Sequence, residues 1–95
     1  MEITDIRIAL RDEENLKAFV SITLDGCFVV KGLKVIRGNN ALFVAMPSRR
    51  RTDNTHVDIC HPIDRKTREW MEKEILDAYT TEAESHLEPA EPRGY

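Results

Sequence analysis

The chain has 95 residues, 41% of them hydrophobic and 33% charged, with a net charge of −3. That length gives one domain with one core and leaves an isolated monomer only modestly stable. It contains no run of about 18 apolar residues of the kind that spans a membrane, and the opening Met1-Glu2-Ile3-Thr4-Asp5 lacks the basic and apolar regions of a signal peptide. A cytoplasmic protein is therefore expected.

The first half reads as strands. Ile6, Ile8 and Leu10 alternate with Arg7, Ala9 and Arg11, the period of two of a half-buried strand. Polar Arg11 to Asn15 suits a hairpin connection, after which Leu16, Ala18, Val20, Ile22 and Leu24 form a second alternating set. Asp25-Gly26 is the strongest turn signal in the chain, because a hairpin turn of this length wants positive φ. A third strand is expected from Cys27 to about Arg37, bent at Gly32, with Cys27 acting as a small hydrophobe. Gly38-Asn39-Asn40 makes the next turn. Residues 41–46 are apolar at every position, which suggests a strand covered on both faces and ended by Pro47.

Arg49 to Thr55 has no periodic apolar residue and reads as an exposed loop, while His56 to His61 suits a short fifth strand. From Asp64 to about Glu84 the period becomes helical. Met71, Ile75, Ala78 and Tyr79 share a face flanked by Trp70 and Leu76, Asp64 is the expected N-cap, and Glu69–Lys73 is a favourable i,i+4 pair. The expected fold is α+β: an antiparallel meander sheet of four to five strands followed by one C-terminal helical region packed on it. A single domain over residues 1–85 and a disordered acidic tail over 86–95 complete the organisation.

Charge is unevenly distributed. Residues 1–63 carry nine Lys and Arg against eight Asp and Glu, whereas residues 64–95 carry five against nine. An acidic C-terminal end can thus hide a local basic surface. Arg49, Arg50 and Arg51 follow one another, and an arginine fork donates two parallel hydrogen bonds to phosphate. Arg65, Lys66 and Arg68 fall in the first turns of the helix, where cations oppose the helix dipole. If the arginine run folds back toward the helix start, these six residues share one phosphate-binding surface. The alternatives are a solvated loop and local pairing of the helix cations with Asp64, Glu69 or Glu72.

Enzyme readings are weak. His56, Asp58, Cys60 and His61 lack the spacing of a metal site, and in an extended strand His61 points away from the other three. Neither a phosphate-binding glycine loop nor a nucleophile elbow is present. No cofactor and no small-molecule substrate are expected. Phe19, Phe28 and Phe43 sit in apolar company and read as core residues rather than as a stacking platform for bases.

Several segments resemble the SpoVG family of septation and sporulation regulators. They are the opening Met1 to Arg7, Ala18 to Asp25, Phe28 to Val30, Val35 to Arg50, Asp58 to Ile63, and Thr67-Arg68, together spanning roughly residues 1–79. The resemblance implies a non-enzymatic homodimer, formed through its sheet region, that binds DNA or RNA and regulates genes of septation, sporulation or virulence. It carries a binding role to Arg49, Arg50 and Arg68, to which the charge pattern adds Arg51, Arg65 and Lys66. Cys60, where the family leads one to expect a small residue, and the long acidic tail depart from the pattern. A protein-interaction module that regulates cell division through an acidic partner protein is the rival from another class.

Overall fold

The computed structural model describes residues 1–87. Four strands, β1 (Ile3–Leu10), β2 (Leu16–Leu24), β3 (Phe28–Arg37) and β4 (Leu42–Ala45), form an antiparallel sheet in chain order. A two-stranded ribbon of β5 (Ser48–Arg50) and β6 (His56–Asp58) follows, and then one helix, α1 (Arg65–Leu87). The α+β meander with a C-terminal helix is therefore the observed fold. Because α1 runs to Leu87, the first two residues of the expected tail fall within the helix; residues 88–95 lie outside the described ones.

The turns follow from local chemistry. Asp25 and Gly26 both take positive φ, 50° and 67°, and the Cys27 N–H donates to the Leu24 carbonyl at 3.0 Å. The start of β1 pins this turn, since Asp25 Oδ1 accepts the Glu2 N–H and Thr4 Oγ1 accepts the Gly26 N–H. At Gly32, with φ of 91°, β3 bulges: Val20 pairs with Leu33 but Ile22 pairs with Val30, so β3 spends one extra residue.

The bulge keeps one side of the sheet apolar along its whole length. Ala18, Val20, Ile22, Leu33, Val35, Val44 and Met46 are buried there under Met71 and Ile75 of α1, with Trp70, Leu76 and Tyr79 packed at the margin. The helix crosses this side and meets both edge strands, β1 and β4. Asp64 caps it as expected, its Oδ1 accepting the Thr67 N–H at 2.7 Å. The Thr67 side chain first, and then this N–H, hold the Asp64 carboxyl below its ordinary pKa. Lys73 pairs with Asp77 at 2.8 Å rather than with Glu69, which faces Arg65 instead.

The expectation that residues 41–46 are covered on both faces does not hold. β4 is an edge strand; Val44 and Met46 are buried under α1, but Phe43 is 42% exposed on the opposite side of the sheet. A single helix covers a single face, and nothing else among the described residues is layered on the other. Glu72 of α1 reaches the edge and accepts the Val44 N–H at 3.0 Å.

Candidate nucleic-acid interface

The arginine run is not wholly a loop. Arg49 and Arg50 lie on β5, with Ser48, Arg49 and Arg50 paired to Asp58, Val57 and His56. Only Arg51 to Thr55 forms the connection. It is closed by the Arg51 N–H on the Thr55 carbonyl at 2.7 Å and the Asn54 N–H on the Arg51 carbonyl at 3.0 Å. Asp53 Oδ1 accepts both the N–H and the hydroxyl of Thr55, which lowers the Asp53 pKa and engages this carboxylate within the loop.

Strand geometry decides where the guanidinium groups go. Neighbouring side chains alternate, so Arg50 shares a side of the ribbon with Ser48, His56 and Asp58, and Arg49 takes the other side with Val57. The ribbon therefore presents arginines on both of its sides, and they do not gather on one. Its root is fixed where the Ile59 N–H donates to the Pro47 carbonyl at 2.7 Å, with Pro47 buried against the Gly32 bulge.

The root of the ribbon lies beside the helix start, where Pro47, Cys60 and His61 line one pocket with Thr67 and Met71. The strands themselves stay off it: neither β5 nor β6 packs appreciably on α1, and residues 59–64 separate β6 from the helix. Arg65, Lys66 and Arg68 form a second basic group in the first turn and a half of α1, whose first turn contains no acidic residue. Arg65 lies 3.8 Å from Glu69, with both side chains largely exposed. No carboxylate partner is present for Lys66, Arg68, Arg49, Arg50 or Arg51 among the described residues. Local pairing thus accounts for Arg65 alone, because Asp64 is committed to the helix cap and Glu72 to β4.

The other sequence candidates disperse. No three His, Cys, Asp or Glu side chains converge among the described residues. His61 Nδ1 lies 2.9 Å from the Pro62 carbonyl, in keeping with a hydrogen bond at the bend. Cys27 and Cys60 are both free and exposed, so Cys27 is not the buried hydrophobe expected from its apolar neighbours.

The phenylalanines are also not core. Phe28 is 64% exposed, Phe43 is 42% exposed, and half-buried Phe19 carries the Arg11 guanidinium 5.0 Å from its ring centroid. Phe19, Val29, Ile36 and Phe43 lie on the uncovered side of the sheet, with Lys34 between Phe19 and Ala45 across the strands. Strand alternation could have revealed this surface, because these residues have the opposite parity to Val20, Val30, Val35 and Val44.

The family model that matches is SpoVG, over residues 1–81. The chain belongs to the SpoVG family. Its similarity to curated proteins extends over most of both chains. The protein named "Putative septation protein SpoVG" from Anaeromyxobacter sp. strain Fw109-5 is 54% identical over 89 residues, covering 94% of this chain and 92% of its own. The protein of that name from Myxococcus xanthus is 50% identical over 96% of this chain and 88% of its own. The one from Clostridium perfringens strain SM101 is 52% identical over 83% and 89%. Family members are regulatory, non-catalytic proteins. No helix among the described residues is long and apolar enough to cross a membrane.

Proposed function

We propose that the protein is a homodimeric, cytoplasmic regulator of gene expression that grips the phosphate backbone of DNA or RNA with its arginine ribbon and the start of α1. One observation carries this reading. Arg49, Arg50, Arg51, Lys66 and Arg68 have no carboxylate partner among the described residues, although the chain as a whole carries a net charge of −3. Unneutralised guanidinium groups on a protruding two-stranded ribbon suit a polyanion, which supplies the charge that the protein withholds. Arg65 joins the same end of α1. The names of the relatives connect the regulated process to septation.

Dimerisation is supported by the uncovered side of the sheet. Val29, at 50% exposure, and Phe43 form the apolar part of a surface that a second copy of the chain can cover. Pairing two copies doubles the basic residues available to one duplex or strand.

The test is binding to matched DNA and RNA probes over a salt series, comparing the wild type with Arg49→Ala/Arg50→Ala/Arg51→Ala. Each phosphate neutralised on duplex DNA contributes about −0.9 to the slope of log affinity against log salt. Two protomers that lose three arginines each should therefore flatten the slope by at most roughly five, and by less where an arginine on the far side of the ribbon misses the phosphates, with a loss of affinity for all sequences alike. An unchanged slope overturns the ribbon's role.

One observation favours a second reading, a module that binds a partner protein. Ile59 and Ile63, 66% and 91% exposed, stand between the ribbon and the basic helix start. Salt-insensitive behaviour toward both nucleic acids, combined with loss of a partner on Ile63→Asp, would support it.

A further inference from the structure

At the far end of the sheet from the ribbon, a cavity of about 370 Å³ opens between the β3–β4 turn and α1. Its walls include Lys17, Arg37, Asn39, Asn40, Leu42 and Tyr79, and no acidic side chain among the described residues lines it. Arg37 lies five positions along β3 from Gly32, against which Pro47 and the root of the ribbon pack. That is about 16 Å along the strand. The cavity is therefore a place apart from the arginine ribbon.

Its polar groups are rich in unused donors. Lys17 Nζ spends one N–H on the Glu13 carbonyl at 2.7 Å and keeps two more. The side chains of Arg37, Asn39, Asn40 and Tyr79 have no hydrogen-bond or ion-pair partner among the described residues. The turn that presents them is fixed, with the Gly38 N–H on the Ala41 carbonyl at 2.9 Å. Gly38 is packed so tightly that a Cβ there would come within 3.2 Å of both the Ala41 carbonyl oxygen and the Phe43 ring. Arg37 is held from the other side by its own N–H on the Asn15 carbonyl at 2.8 Å.

We propose that this cavity binds a phosphate group carried on a ligand of nucleotide size, with Arg37 and Lys17 on the phosphate and Asn39, Asn40 and Tyr79 around the nucleoside. Two cations in a concave site that no described acidic residue lines, with an apolar Leu42 wall, favour a phosphate anion, and the Arg37 fork matches its oxygens. The volume exceeds what a bare phosphate needs and falls in the range of small-molecule sites. Tyr79 supplies a ring for stacking, and the two amides can both donate to and accept from a base edge. The phosphate group comes either from a free mononucleotide or from the 5′-terminal nucleotide of a strand. The site is independent of the arginine ribbon.

Two-dimensional amide spectra of the full chain test this directly. The probes are inorganic phosphate, AMP, adenosine, and one oligonucleotide with and without a 5′-phosphate. AMP should shift the amides of Gly38, Asn39 and Asn40, adenosine should do so far more weakly, and inorganic phosphate should compete with AMP. If the source is a strand end, the 5′-phosphorylated oligonucleotide shifts these amides at lower concentration than AMP does, and the oligonucleotide without a 5′-phosphate does not shift them. Arg37→Gln and Asn40→Asp should each weaken the interaction by at least about tenfold, the first by removing a cation and the second by adding a carboxylate. The spectra also report whether each variant is folded. Arg49→Ala/Arg50→Ala/Arg51→Ala should leave the AMP response intact, which separates this site from the ribbon. The proposal is overturned if no phosphate-bearing probe shifts the turn. It is equally overturned if Arg37→Gln and Asn40→Asp respond like the wild type, or if the ribbon variant abolishes the response.

Discussion

Glu72 ties the helix to the edge of the sheet, and removing it should be costly in a defined way. Its Oε2 accepts the Val44 N–H at 3.0 Å, and Val44 is only 3% exposed. Truncation in Glu72→Ala leaves this donor without a partner at a position with little access to water. An orphaned buried donor costs about 1–3 kcal/mol, against a total stability of about 5–15 kcal/mol for a domain of this kind. For a domain of this size, each kcal/mol lowers Tm by about 4–8 °C, so a fall of roughly 4–24 °C is expected. Glu72→Gln keeps an acceptor oxygen but loses the charge. A charge-assisted hydrogen bond is about twice as strong as a neutral one, so this variant should fall between the other two. Urea denaturation at one fixed protein concentration gives the free energies, because association would make stability depend on concentration. Amide exchange at Val44 should accelerate in the order wild type, Gln, Ala. Glu72→Ala within about 0.5 kcal/mol of the wild type, the range of ordinary surface changes, would refute the reasoning.

Three further outcomes are expected. Ile75→Ala empties the centre of the helix–sheet core, where Ile75 is fully buried, and should cost about 2–5 kcal/mol in urea melts, whereas exposed Glu74→Ala should change little. Asp64→Ala should destabilise α1 at neutral pH. Because the folded carboxyl titrates below the ordinary value of 3.8, the stability that it adds is present above that value and is lost as pH falls through the lowered pKa. The gap between wild type and variant in thermal melts should therefore narrow as the pH falls below 3.8, while Asp64→Asn, which keeps an uncharged cap, should show less of this dependence. Val29→Glu, on the uncovered side of the sheet, should shift sedimentation from dimer toward monomer without loss of circular dichroism, and an unchanged sedimentation profile would remove that surface as the interface.

The strands β1 and β2 were legible because one side of each is apolar and the other mixed, and the Asp25-Gly26 and Gly32 positions marked a turn and a bulge by their need for positive φ. Of the ribbon, β6 was legible as a short strand within His56 to His61, whereas β5 was not. Ser48-Arg49-Arg50 has no apolar alternation, and its extended form comes from backbone pairing with His56–Asp58, which no side-chain pattern announces. The basic residues of the site were visible as charge, but their facing was not. An unbroken arginine run reads as a cluster, while a strand sends alternate members to opposite sides. Lys73 shows the same limit on a helix: Glu69 and Asp77 lie four residues away on either side, and only the side-chain geometry selects Asp77.

The uncovered sheet surface links these points to the proposed assembly. Residues 41–46 are apolar at both parities, and so are parts of β3, where Val29 and Ile36 oppose Val30 and Val35. A strand with two apolar sides implies two covering layers, yet one 23-residue helix supplies only one. The missing layer is not a third element of this chain among the described residues. A second copy, bringing the same face related by a two-fold axis, satisfies both patterns at once. It also leaves the ribbon free, since the ribbon is rooted at Pro47 beyond the end of β4 rather than on that face. In the proposed dimer the apolar excess would serve association and the unpaired arginines the ligand, on separate parts of the fold.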